Sequence, residues 1–122
     1  MKEIKAYVRR GHVNKAVDEL QKGGAPGITI EEVHPVGYGY VPKYYEQDFD
    51  DELQRYRDLL LVKIEVVCAE EDLERLVTII QTTCKTGAKG DGWIFVTDVS
   101  AAIRIRDGAR DASALKSEKA FK

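Results

Sequence analysis

Leu59-Leu60-Leu61-Val62-Lys63-Ile64-Glu65-Val66-Val67-Cys68 is the most strand-like stretch of the chain. It is rich in branched apolar residues, and Lys63 and Glu65 alternate with apolar neighbours in its middle. Glu70 to Cys84 follows with a different period. Leu73, Leu76, Val77, Ile79 and Ile80 fall on one side of a helix, and the acids at its start, Asp72 among them, suit a positive helix end. A strand followed directly by an amphipathic helix is half of a β-α-β unit, so a second strand is expected after the helix. Trp93 to Val99 supplies it, across the glycine-rich link Thr86-Gly87-Ala88-Lys89-Gly90-Asp91-Gly92.

The N-terminal half repeats this order. Residues 3–9 alternate, with Ile4, Ala6 and Val8 on one face and Lys5, Tyr7 and Arg9 on the other. Asn14 to Lys22 carries Val13, Ala16, Val17 and Leu20 at helical spacing, and Gly23-Gly24 stops that helix. Pro26-Gly27 is a turn, and Ile28 to Val36 reads as a strand. The sum is β-α-β-loop-β-α-β, which with right-handed crossovers gives an α+β, ferredoxin-like βαββαβ sandwich. Both helices then cover one sheet face. The other face carries none, and such a face commonly finds a partner, so an oligomer is expected.

Composition narrows the function. A length of 122 residues fits one domain, and 43% hydrophobic residues is the globular norm. Charge is abundant but nearly cancels at −2, which argues against a nucleic-acid binder. Cys68 and Cys84 form no Cys-x-x-Cys pair and read as reduced core thiols. His12 and His34 are too sparse for a zinc site. The charged N-terminus does not resemble a signal peptide, and no apolar run is long enough to span a bilayer, so a cytoplasmic location is expected.

Three features carry candidate chemistry. In the loop from Gly87 to Gly92, glycines let the backbone approach an anion, and successive N–H groups can form a nest; an ordinary helix-to-strand link is an equal alternative. No Gly-Lys-Ser/Thr ends it, so it is not a Walker loop. Arg104 and Arg106 lie two apart in the extended piece Ala102–Arg106. On a strand they would face the same way and suit a phosphate, or else pair with surface acids. The stretch from Gly37 to about residue 58 has no clean period, and long loops of this kind are usually either functional or disordered.

These residues resemble a known family. Thr86-Gly87-Ala88-Lys89-Gly90-Asp91-Gly92-Trp93-Ile94-Phe95-Val96 and Ala102-Ile103-Arg104-Ile105-Arg106-Asp107-Gly108 look like the C-terminal signature of the PII nitrogen-regulatory signal-transduction proteins. Met1 to Ile4, Gly24 to Val33 and Val62 to Val67 fit the same family. The resemblance implies a homotrimer that binds ADP, AMP or ATP in clefts between subunits and acts on a target transporter or enzyme through a long T-loop, here about 37–58. It implies a regulatory protein rather than an enzyme, no required cofactor, and membrane association only indirectly, through a transporter. By position, Gly27, Ile28, Thr29, Gly37 and Glu65, Val66 and Val67 match the adenine and ribose part of the cleft. Gly90, Asp91 and Gly92 match the phosphate loop, and Arg104 and Arg106 match arginines reaching the phosphates from a neighbouring subunit. Residues 1–108 would form the domain, and 109–122 a flexible tail.

The departures from the family pattern are specific. Gly39 replaces the glutamine that helps hold magnesium and 2-oxoglutarate, Tyr38 replaces an arginine, and Leu61 replaces a lysine that pairs with the 2-oxoglutarate carboxylate. Trp93 stands where a basic residue contacts the outer phosphates. Each change removes charge or chelation, so weak 2-oxoglutarate binding is expected, with ADP or AMP rivalling ATP. The loop is about three residues longer than usual, and Tyr56 lacks the context of the modified tyrosine. Tyr40, Lys43, Tyr44 and Tyr45 are candidate docking residues. Bicarbonate is a second candidate ligand, through relatives linked to inorganic carbon handling. Slow phosphohydrolysis and a metal-binding trimer are the remaining alternatives.

Overall fold

The computed structural model describes residues 1–35 and 61–116. The loop from Gly37 to 58, with Tyr38, Gly39, Tyr40, Lys43, Tyr44, Tyr45 and Tyr56, lies outside the described residues.

Strand β1 spans Lys2–Arg9, and a 3-10 turn at Arg10–His12 leads into helix α1, Val13–Lys22. β2 is Thr29–Val33 and β3 is Leu61–Cys68. A second 3-10 turn, Glu70–Asp72, opens helix α2, Leu73–Cys84, and β4 is Gly92–Asp98. The sheet order is β2-β3-β1-β4, with every neighbouring pair antiparallel. β1 and β2 are therefore parallel with β3 between them, and β3 and β4 are parallel with β1 between them. This interleaving of two split βαβ units is the ferredoxin-like arrangement expected from the element order.

One face of the sheet makes the core. Ile4, Ala6 and Val8 of β1 and Val62, Ile64, Val66 and Cys68 of β3 meet Val13, Ala16 and Leu20 of α1 and Leu76, Ile80 and Cys84 of α2. Burying a Leu or Ile side chain contributes roughly 1.5–3 kcal/mol, so the fully buried Ile4, Leu20, Ile64, Leu76 and Ile80 dominate this layer. Val17, Leu73, Val77 and Ile79 pack at its rim. Helix α1 ends as its glycines require. Gly24 adopts φ +88° and donates to Gln21 O at 3.1 Å, while Ala25 N donates to Leu20 O at 3.0 Å. These are the two bonds of a Schellman cap.

The segment after β4 departs from expectation. Ala102–Arg106 is not a strand: only Ile103 makes a bridge, with Arg110, and residues 105–107 form a turn. Arg104 N donates to Ala109 O and Gly108 N to Arg104 O, each at 2.8 Å, closing a tight loop. Residues 109–116, read as part of a loose tail, fold back instead. Asp111 N donates to Ala102 O at 2.8 Å, and Asp111–Ser113 forms a 3-10 turn. The physical reason is local: Asp107 accepts the Ala109 N–H at 3.0 Å and Asp111 accepts the Ala102 N–H at 3.2 Å, so short acidic side chains satisfy the turn backbone.

Candidate functional site

The sheet face without helices carries the candidate site residues in rows. Register places Thr29 opposite Glu65, Glu65 opposite Lys5, and Lys5 opposite Phe95. The next row of the same face is Glu31, Lys63, Tyr7 and Trp93. Lys63 sits between two acids, with Nζ 2.9 Å from Glu65 and 3.2 Å from Glu31. Hydrogen bonds to Glu65 and then Glu31 raise the Lys63 ammonium above the ordinary lysine range.

Five of the expected residues meet in one cavity of about 470 Å³. Gly27, Thr29, Glu65, Val67 and Arg104 line it, joined by Glu3, Pro26 and residues 114–116. Its wall is mixed: the carboxylates of Glu3 and Glu65, a threonine hydroxyl, the Arg104 guanidinium, the Lys116 side chain and apolar surface. The carboxylates are good acceptors for the N–H and O–H groups of a base or sugar, and the two cations offset their charge. Ile28 is half-buried against the core beside this cavity. The Val66 side chain faces the opposite side of β3 and is buried in the core, because the strand period sets Glu65 and Val67 outward and Val66 inward, which leaves its backbone as the part beside the cavity.

The glycine loop is held from within by Asp91. The Thr86 and Gly87 N–H groups donate to Asp91 Oδ2 at 2.9 Å each, and the Thr86 hydroxyl donates to Oδ1. Ala88 N donates to Thr86 Oγ at 3.2 Å. These bonds, the Thr86 hydroxyl first, keep the Asp91 carboxyl far below the usual carboxylate range. Asp91 is thus an organiser of the loop, and the N–H groups of residues 86–88 are turned toward its own side chains. Gly87, Gly90 and Gly92 have φ of +88°, +93° and +107°, where a side chain is strained.

The two arginines are not equivalent. Arg104 keeps 19% of its side chain exposed, with its guanidinium donating to Ser113 O and lying 3.4 Å from Asp107. The Arg106 side chain is 68% exposed and lies 3.6 Å from the same Asp107 oxygen. The strand parity that would have aligned them is absent, since the chain turns between them.

Arg104 and the glycine loop do not converge within one chain. Glu3 lines the cavity with Arg104, whereas Val8 pairs with Gly92 at the end of the loop. Five residues of β1 separate these points, about 17 Å at the usual strand rise. Glu3 and Val67 at the Arg104 side of the cavity and the glycine loop therefore mark opposite ends of β1, with Thr29 and Glu65 on the Lys5 row between them.

An aromatic wall stands beside the loop. Trp93 and Phe95 lie stacked with centroids 6.3 Å apart, and Tyr7 meets Phe95 edge-on at 5.9 Å. Together with Val33, His34, Pro35 and Leu61 they line a cavity of about 340 Å³. Tyr7, Phe95 and Glu3 were not singled out in the sequence; the period of two that put Lys5, Tyr7 and Arg9 on the outer face is the signal that would have found the first. No group of three metal-ligating side chains stands together among the described residues.

The family model described as Nitrogen regulatory protein P-II matches residues 1–109. The chain belongs to the P-II family. Nitrogen regulatory protein P-II 1 of Methanothermobacter thermautotrophicus is 39% identical over 116 residues, covering 92% of this chain and 96% of that protein. P-II proteins of Porphyra purpurea (32%) and Rhizobium meliloti (34%) align with 94% of this chain and the whole of theirs. A regulatory protein is what this P-II membership supports, and no described helix is long and apolar enough to cross a membrane.

Proposed function

We propose that this P-II chain is a signal-transduction subunit that assembles as a homotrimer and holds adenine nucleotide between subunits. The Gly27–Thr29–Glu65 part of one copy's cavity takes base and ribose, and its Arg104 reaches toward the phosphates. The glycine loop and aromatic wall of the next take the phosphates and one face of the base. Ligand state then passes to a partner protein, a transporter or an enzyme, through residues 37–58, without 2-oxoglutarate as an input.

One observation carries this reading: the Arg104 end of the cavity and the glycine loop flank opposite ends of β1, about 17 Å apart, so each end stands as a half-site that a second copy can complete. The outward surface supports it. Trp93, Phe95 and Ile103 are large and exposed, and Ile105 is 100% exposed at the tip of a closed turn. Surfaces of this kind mark interfaces. The chemistry of ligand choice follows from Trp93, Leu61 and Gly39, which supply neither a cation nor a chelating oxygen from their side chains. AMP and ADP should then compete with ATP.

Calorimetry with AMP, ADP, ATP, 2-oxoglutarate and bicarbonate tests the ligand. Mixed assemblies test the geometry. A chain carrying Arg104→Ala and a chain carrying Gly90→Val each lose binding alone, and mixing them restores a minority of intact sites. Failure of the mixture to recover any binding, when each parent assembles normally, would place the whole site within one chain.

A further inference from the structure

Arg9 ends β1 and reaches the glycine loop across 82 residues of sequence. Its Nε donates to Asp91 Oδ1 at 3.2 Å, and its terminal nitrogen donates to Lys89 O at 2.7 Å. Asp91 in turn holds Thr86 and Gly87 through their N–H groups. One guanidinium and one carboxylate therefore fix both limbs of the loop, the 86–87 limb through Asp91 and the 89 limb directly. The link is rigid in kind, because a planar fork bonded at two points cannot rotate without losing one of them.

Charge gives the contact a second consequence. Asp91 is the acid of the stretch from Thr86 to Gly92, and Lys89 is its base. A carboxylate inside a loop meant for an anion repels that anion unless a cation compensates it. Arg9 supplies the compensation from the adjacent strand. With Arg9 counted, loop and clamp together carry one net positive charge; without it they carry none. Trp93, next in sequence after Gly92, adds no cation.

We propose that Arg9 is a positioning residue for phosphate binding: acting through Asp91 and Lys89, it holds the loop in its binding shape and offsets the Asp91 charge. The inference rests on the nucleotide reading above and adds to it a residue outside the groups that match the family's cleft.

The test uses the full chain and its Arg9→Gln, Arg9→Lys, Asp91→Asn and Arg9→Gln/Asp91→Asn variants. ADP and adenosine affinities are measured by calorimetry, and amide exchange at Thr86 and Gly87 is followed without ligand. Arg9→Gln is expected to weaken ADP about tenfold, the effect of losing one charge-assisted contact, and to leave adenosine within about twofold. Arg9→Lys keeps the charge without the fork and recovers part of the loss. Because Arg9 acts through Asp91, its substitution costs less ADP affinity in the Asp91→Asn background than in the wild type. Exchange at Thr86 and Gly87 quickens in Arg9→Gln.

Unchanged ADP affinity overturns the proposal. So does a parallel loss of adenosine, which would mean general damage to the fold, or full additivity of the two substitutions, which would mean that Arg9 acts independently of Asp91. If the wild-type chain binds neither ADP nor adenosine, the nucleotide reading fails by itself. Exchange then decides the clamp alone: faster exchange in Arg9→Gln supports it, and unchanged exchange removes it.

Discussion

A Cβ built on Gly92 would fall 1.7 Å from the carbonyl oxygen of Tyr7. Gly92 pairs with Val8 at the first position of β4, with φ at +107°. No side chain fits there, and the obstacle is backbone, which cannot swing aside. A residue expected to serve phosphate contact is also what lets β4 join β1 directly after the loop.

Gly92→Ala is accordingly expected to destabilise the chain by about 2 kcal/mol or more, from backbone strain together with the clash. The urea midpoint falls at an unchanged slope. Gly23→Ala makes the contrast. A Cβ there meets Ile79 Cδ1 at 2.4 Å, but that atom is the tip of a flexible side chain and Gly23 has an ordinary helical φ of −78°. Its cost should stay within about 1.5 kcal/mol.

Cys84 predicts a pH dependence on the alkaline side. Burial, and then the nearby Asp91 charge, push its thiol up to about 11. An unfolded thiol ionises near pH 8.5. The folded value is the higher one, so this contribution to stability is complete below about pH 8.5 and is lost as pH rises toward 11. Urea midpoints measured at pH 7.5 and pH 10 should differ more in the wild type than in Cys84→Ala. Native Cys84 should also resist alkylation at pH 8, because the thiolate is the nucleophile and little of it is present.

Trp93→Lys returns a cation to the end of the phosphate loop. Expected is a gain in the ratio of ATP to AMP affinity of about tenfold, with adenosine weakened by the lost indole face. Trp93 is 51% exposed, so the fold tolerates the exchange. Equal losses for all three ligands would show that the tryptophan acts chiefly on the base instead. Calorimetric titration of each ligand separates the outcomes.

Ile105 has no packing to lose within its own chain, being fully exposed. Ile105→Asp should therefore leave the circular dichroism spectrum unchanged, yet shift the assembly toward smaller species in light scattering. An unchanged mass would remove this turn from the interface.

Much of this architecture was legible from residue order. The alternation of Ile4, Ala6 and Val8 and the helical spacing of Leu76 and Ile80 announce the core, because a single buried face leaves a plain period in the sequence. The start of α2 was less legible: Glu70–Asp72 is a 3-10 turn, and helix ends follow local hydrogen bonding rather than apolar period. Arg104 and Arg106 pair with an acid, Asp107, as their spacing allowed, but not on a strand. Two-residue spacing implies a common face only on a strand, and the acids at 107 and 111 bend the chain into a turn instead. Val66 matches the family's cleft by position, and strand parity turns its side chain into the core. Arg9 was visible as an outward-facing residue, but its partner Asp91 stands 82 residues away and only the β1–β4 register reveals the pair.

The length of β1 between the Arg104 cavity and the glycine loop carries a consequence for how such a subunit behaves in a cell. If the halves of a site belong to different copies, an isolated subunit is folded but deaf. Ligand and neighbour become mutually reinforcing: whatever binds the cleft also cements the assembly, and dilution silences the receptor as surely as withdrawing its ligand. A chain with one damaged half, expressed beside intact copies, would spoil some clefts and spare others, so its effect would scale with the proportion of mixed assemblies rather than with its own abundance alone.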